Sequence, residues 1–195
     1  KVRIDHFRGF EAYWEIPAEE ETAVNGHWVK GPGKDLFESI LNQVENLSIV
    51  AENLGVITDE VEELRARFDF PGMNVMQFMT EPDLEHNFIL PLSQYNSFLY
   101  TGTHDNETIL QWYRDNSDDE SSDGEEICWY FIKEAYRSWA KDVVIPLQDF
   151  LCLGKEGRMN VPGTAEGNWK WRFEWEQFPE GLENKIREIC KKYYR

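Results

Sequence analysis

Three carboxylates in this sequence lie where their type and spacing could do chemistry: Asp5, Glu52 and Asp105. Each follows a short apolar run that reads as a strand. Breaking a glycosidic bond with retention requires one carboxylate as nucleophile and a second that starts protonated and gives its proton to the leaving oxygen. The two stand about 5–5.5 Å apart on either side of the bond. A third acid can support the sugar as positive charge develops at its ring.

Arg3 precedes Asp5 by two residues, and in a strand residues i and i+2 share a face. The guanidinium can therefore hold the carboxylate ionised, as a nucleophile requires; the same spacing also suits a structural ion pair at a sheet rim. Glu52 follows Ile49, Val50 and Ala51. Apolar surroundings would favour the protonated form that an acid catalyst needs, though a loop or helix-capping carboxylate fits the position as well. His104-Asp105 could be half of a metal site, half of a charge relay, or a structural turn. The chain contains neither HExxH nor GxSxG to favour the first two.

The elements that must position these residues alternate between strand and helix. Strands are predicted near 2–5, 48–51, 74–79 and 98–101, and 143–153 is apolar but interrupted by Pro146, which leaves strand and helix both open. Leu36, Phe37, Ile40, Leu41, Val44 and Leu47 recur at helical spacing over 35–47. Thr58 can cap a helix running to about Phe68, with Asp59 and Glu60 favoured in its first turn by the helix dipole. Further helices are predicted over 107–114, 127–140 and 183–194. Alternating strands and helices imply βα units and a mainly parallel sheet, whose strand ends carry the ligand.

Composition narrows the function. The chain has 195 residues and a formal net charge of −17, a field that repels nucleic-acid phosphates and anionic membrane surfaces. No apolar run approaches the ~18 residues of a membrane span, and the opening KVRIDHFRGF has no signal-peptide apolar region. Cys128, Cys152 and Cys190 form no CxxC pair. They read as reduced thiols in a cytoplasmic protein without a structural metal. Ser117 to Glu126 holds six acids and no apolar residue, a solvated loop or helix cap. It divides the sequence into two stretches of the same α/β kind, read as one domain over 1–195. Aromatic residues make up 14%, suited to core packing or to platforms for sugar faces.

The strings RIDHFRGFEAYWEIP, GHWVKGPGKDLF, IVAENLGVIT, YTGTHDNET, PLQDFLCLGKEGRMNVPGT and GNWKWRFEW occur in this order. Together they resemble the 4-α-glucanotransferases (amylomaltases or disproportionating enzymes, glycoside hydrolase family 77) over residues 1 to about 175. The resemblance implies a (β/α)₈ barrel glycosidase and transfer of α-1,4-glucan segments to the 4-OH of an acceptor glucan, without metal or cofactor. It implies Asp5 as nucleophile, Glu52 as general acid/base and Asp105 as the acid that stabilises the transition state. It also implies Arg3, His104 and Asn160 as sugar-binding residues, with α-1,4-glucans and maltooligosaccharides as substrates. A bare barrel takes about 250 residues, so the resemblance further implies that this chain supplies about strands four to eight. The missing N-terminal part of the same enzyme would then complete it. Plain hydrolysis of α-glucans, or glucan binding without catalysis, would use the same residues.

Overall fold

A computed structural model describes residues 1–84, 89–91, 94–119 and 121–195. They form two compact units, Lys1–Met73 and Asn74–Arg195.

In the first unit, β1 (Val2–Ile4) pairs in parallel with β4 (Ile49–Ala51). Between them run α1 (Arg8–Glu11), an antiparallel hairpin of β2 (Ala12–Glu15) and β3 (His27–Lys30), and α2 (Gly33–Gln43). After β4 comes α3 (Asp59–Arg67). Phe7, Phe37, Val61 and Phe70 fill the core with Ile49 and Ala51 of β4. The Phe7 ring stacks on Phe37 at 5.4 Å and Phe70 meets Phe37 edge-on at 5.3 Å. Each buried ring contributes about 2 kcal/mol, so the loop after β1, which begins at Asp5, is anchored two residues on by Phe7.

Two predictions for this unit need correction. The helix over 35–47 ends at Gln43: Val44 is extended and half-exposed, and Asn46 takes φ +57°. The extended Val44 backbone ends the helix, although apolar spacing continues to Leu47. Thr58 occupies the N-cap of α3 but makes no side-chain capping bond.

In the second unit, a three-stranded sheet has the order β5 (Gly72–Val75), β6 (Ser97–Tyr100), β7 (Asp142–Val144), its first strand beginning just before the unit boundary. β6 and β7 are parallel, with Leu99 opposite Val143. The strand predicted over 74–79 stops at Val75, where Met76–Phe78 turns into a 3₁₀ helix closed by Met79 N–H on the Met76 carbonyl. α4 (Ile109–Asn116) starts two residues later than predicted, because the Thr108 side chain caps it by accepting from Gln111 N–H at 3.2 Å. α5 (Gly124–Arg137) starts earlier, because Asp123 caps it. Pro146, which has no N–H to give, separates β7 from α6 (Leu147–Phe150), so 143–153 holds both a strand and a helix. α7 (Leu182–Lys192) packs Leu182 and Ile189 on Trp129 and Ile132 of α5.

The acidic stretch is a loop that ends as the Asp123 cap of α5, as its composition implies, with Glu120 outside the described residues. Asp119 accepts from the hydroxyls of Ser122, Ser121 and Tyr113 and from Ser121 N–H. These donors, Ser122 foremost, hold its carboxyl well below the usual carboxylate range.

Candidate functional site

Asp5 and Glu52 owe their placement to strand register. β1 and β4 are paired through Ile4↔Ala51, so Asp5 and Glu52 each stand one residue past the paired ends of neighbouring parallel strands. Arg3 Nη2 donates to Asp5 Oδ1, as the i, i+2 spacing predicts, and the Asp5 side chain remains 75% exposed.

Glu52 is half-buried and tied at several points. Its backbone N–H donates to the Ile4 carbonyl and its own carbonyl accepts from Phe7 N–H, both at 3.0 Å. Its side chain accepts from His6 N–H at 2.7 Å and Leu54 N–H at 2.8 Å. His6 reaches this position with φ +48°, a conformation L residues rarely take. The apolar surroundings predicted for Glu52 therefore apply to the preceding strand, while its carboxyl oxygens meet backbone amides. Neighbouring Asn53 is fixed as well, accepting from Met73 N–H at 2.8 Å and donating to Glu62 at 2.7 Å.

Asp105, His104 and Asn160 come together in the second unit. Asn160 Nδ2 donates to Asp105 Oδ1 at 2.6 Å, and His104 Nε2 lies 3.4 Å from Asp105 Oδ2. The Trp169 ring, half-exposed, sits 5.3 Å from the His104 ring. Arg158 joins the two loops: it pairs with Glu107 at 2.6 Å, and donates to the Asp105 carbonyl at 3.4 Å and the Asn160 carbonyl at 3.1 Å. Gly102 opens the first loop where a Cβ would come within 2.7 Å of Gln77 Nε2, the nitrogen that donates to the Glu107 carbonyl. Beside this cluster lies a cavity of about 200 Å³ lined by His104, Glu107, Arg158 and Asp149 among others. Among the described residues, no group of three His, Cys, Asp or Glu side chains converges as a metal site.

Comparison with known proteins gives the cluster its context. A family model described as 4-alpha-glucanotransferase, that of glycoside hydrolase family 77, matches residues 1–177. The chain belongs to this 4-alpha-glucanotransferase family. It is 45% identical over 205 residues to the 4-alpha-glucanotransferase of Synechocystis, covering 100% of this chain and 41% of that protein. It is 47% identical over 190 residues to the enzyme of that name from Thermus thermophilus, covering 88% and 37%. The structure of an amylomaltase from Streptococcus agalactiae in complex with acarbose superposes with a TM-score of 0.84 at 34% identity, over 99% of this chain and 41% of that one. The fold is thus of the α/β glycosidase type. The chain spans about two fifths of the length of the relatives it matches.

Sequence reasoning missed Arg158, Glu107 and Trp169 as members of the cluster around Asp105. Arg158 carried one signal, its place two residues before Asn160.

Proposed function

We propose that the protein carrying this chain is a 4-α-glucanotransferase. It moves an α-1,4-glucan segment from a donor to the 4-OH of an acceptor through a covalent glucosyl–Asp5 intermediate. The observation that carries the reading is the β1–β4 register, which sets Asp5 beside Glu52 in a chain whose relatives bear that name.

In this reading Asp5 attacks the anomeric carbon while Glu52 protonates the departing oxygen. The acceptor hydroxyl then attacks the glucosyl ester, and Glu52 takes its proton. Two backbone amides aim the Glu52 carboxyl, and Arg3 aims that of Asp5. Asp105 stabilises the charged sugar ring, with His104, Asn160 and Arg3 binding its hydroxyls. Substrate and carboxylates balance both steps, so no cofactor or metal enters. The chain corresponds to about strands four to eight of a (β/α)₈ barrel, the remainder coming from the N-terminal part of the enzyme. The three free cysteines accord with a cytoplasmic enzyme.

The test is to incubate the full gene product with maltotriose and separate the products. Longer maltooligosaccharides support transfer. Glucose and maltose alone would assign hydrolysis instead, and unchanged maltotriose would leave glucan binding without catalysis.

A further inference from the structure

We propose that Asp149 and Gln148 are positioning residues that hold the Asp105 loop and the Asn160 loop in register with each other. The inference rests on the role given to Asp105 above. Asp149 is 1% exposed, and both of its carboxyl oxygens are engaged. Oδ2 accepts from the Thr101 hydroxyl at 2.5 Å and Oδ1 from Ile109 N–H at 2.9 Å. Thr101 and Ile109 are the two ends of the segment that carries His104, Asp105 and Glu107. One buried side chain on α6 thus pins both ends of that loop.

The adjacent residue reaches the second loop. Gln148 Nε2 donates to the Gly157 carbonyl at 3.2 Å, immediately before Arg158 and three residues before Asn160. The Thr108 hydroxyl adds a tie to the Gly154 carbonyl at 3.2 Å. Gly157 packs so closely that a Cβ would lie 2.9 Å from Leu153 Cβ and 3.1 Å from Thr108 Cγ2. Consecutive residues of one short helix therefore fix both partners of the 2.6 Å Asp105–Asn160 bond.

The chemistry explains why an acid stands here. A carboxylate offers two acceptor oxygens, and this site presents one hydroxyl and one amide donor. Asparagine can keep both contacts, because its oxygen accepts from Ile109 N–H while its NH₂ donates to a Thr101 hydroxyl turned round to accept. Valine keeps neither. A loop displaced by about 1 Å can cost about a hundredfold in rate.

The test uses the full gene product with maltotriose, comparing wild type with Asp149→Asn, Asp149→Val, Thr101→Val and Gln148→Ala. Asp149→Val and Thr101→Val should lower kcat by about ten- to a hundredfold while KM changes less than about threefold. Asp149→Asn should return kcat to within about threefold of wild type, and Gln148→Ala should fall between. A crystal structure of Thr101→Val should show the Asp105–Asn160 contact lengthened beyond hydrogen-bond distance. If Asp149→Val does not fold, the near-isosteric Thr101→Val decides. Unchanged kcat in folded Thr101→Val, or an intact Asp105–Asn160 bond in its crystal structure, would overturn the proposal. A wild type that leaves maltotriose untouched would defeat the proposed activity instead, and the crystal structure alone would then decide the positioning.

Discussion

The two units hold their acidic residues in different ways. In the first, the backbone does the placing: parallel register sets Asp5 and Glu52 side by side, and main-chain amides orient Glu52. In the second, side chains do it: Asn160 and His104 meet Asp105, Arg158 bridges the loops, and a buried carboxylate pins one loop from beneath. A backbone-placed group tolerates changes in neighbouring side chains, because register depends on the strand as a whole. A network-placed group can be shifted by a substitution several residues away.

Substitutions separate the two arrangements. The largest effect belongs to Asp5. Asp5→Asn keeps the shape and removes the proposed nucleophile, so transfer from maltotriose should fall by at least about a thousandfold, with glucan binding retained. Turnover near wild type would remove Asp5 from the mechanism.

Next comes Asn160→Ala, which deletes the 2.6 Å bond to Asp105. Activity should drop about ten- to a hundredfold, in keeping with about 1.5–3 kcal/mol for a hydrogen bond to a charged group. Asn53→Ala, which loosens a residue beside Glu52 but leaves the β1–β4 register, should cost less than Asn160→Ala does. If it costs more, the contrast between the units fails. Steady-state rates of the two variants decide.

The smallest effect is on stability. Burial pushes the Asp149 carboxyl up to about 6, against bonds from Thr101 and Ile109 that pull it down. The folded protein therefore holds this proton more tightly than the unfolded chain does. The resulting stabilisation is complete below about pH 3.8 and is lost as pH rises through about 6. Between pH 5 and pH 7 the loss is about 1 kcal/mol. Cys128, Cys152, His104, Glu107 and Arg158 surround the same region, so the readout is the difference between wild type and Asp149→Asn in denaturant midpoints at the two pH values. Asp149→Asn should lack this component, and equal pH dependence in both proteins would contradict it.

The same division explains what the sequence made legible. Strand ends with carboxylates announce themselves through short apolar runs, so Asp5, Glu52 and Asp105 stand out as candidates in the sequence. Arg3 was found through i, i+2 spacing, a local rule. Arg158 to Glu107 and Asp149 to Thr101 are contacts between side chains far apart in sequence, which no periodicity encodes. The β2–β3 hairpin was missed because residues 16–26 separate its strands, far more than a tight turn with a recognisable dipeptide. Helix starts differ from the spacing where a capping side chain overrides it, Thr108 before α4 and Asp123 before α5.

In the proposed mechanism Asp5 becomes covalently bonded to the sugar. This step is tested most directly by treating the full gene product with a slow-hydrolysing fluorinated α-glucosyl fluoride and mapping the added mass by peptide mass spectrometry. One fluoroglucosyl adduct is expected, at Asp5 on the peptide that contains RIDHF, and absent in Asp5→Asn. An adduct on Glu52 or on Asp105, or none while the enzyme still turns over maltotriose, would contradict it.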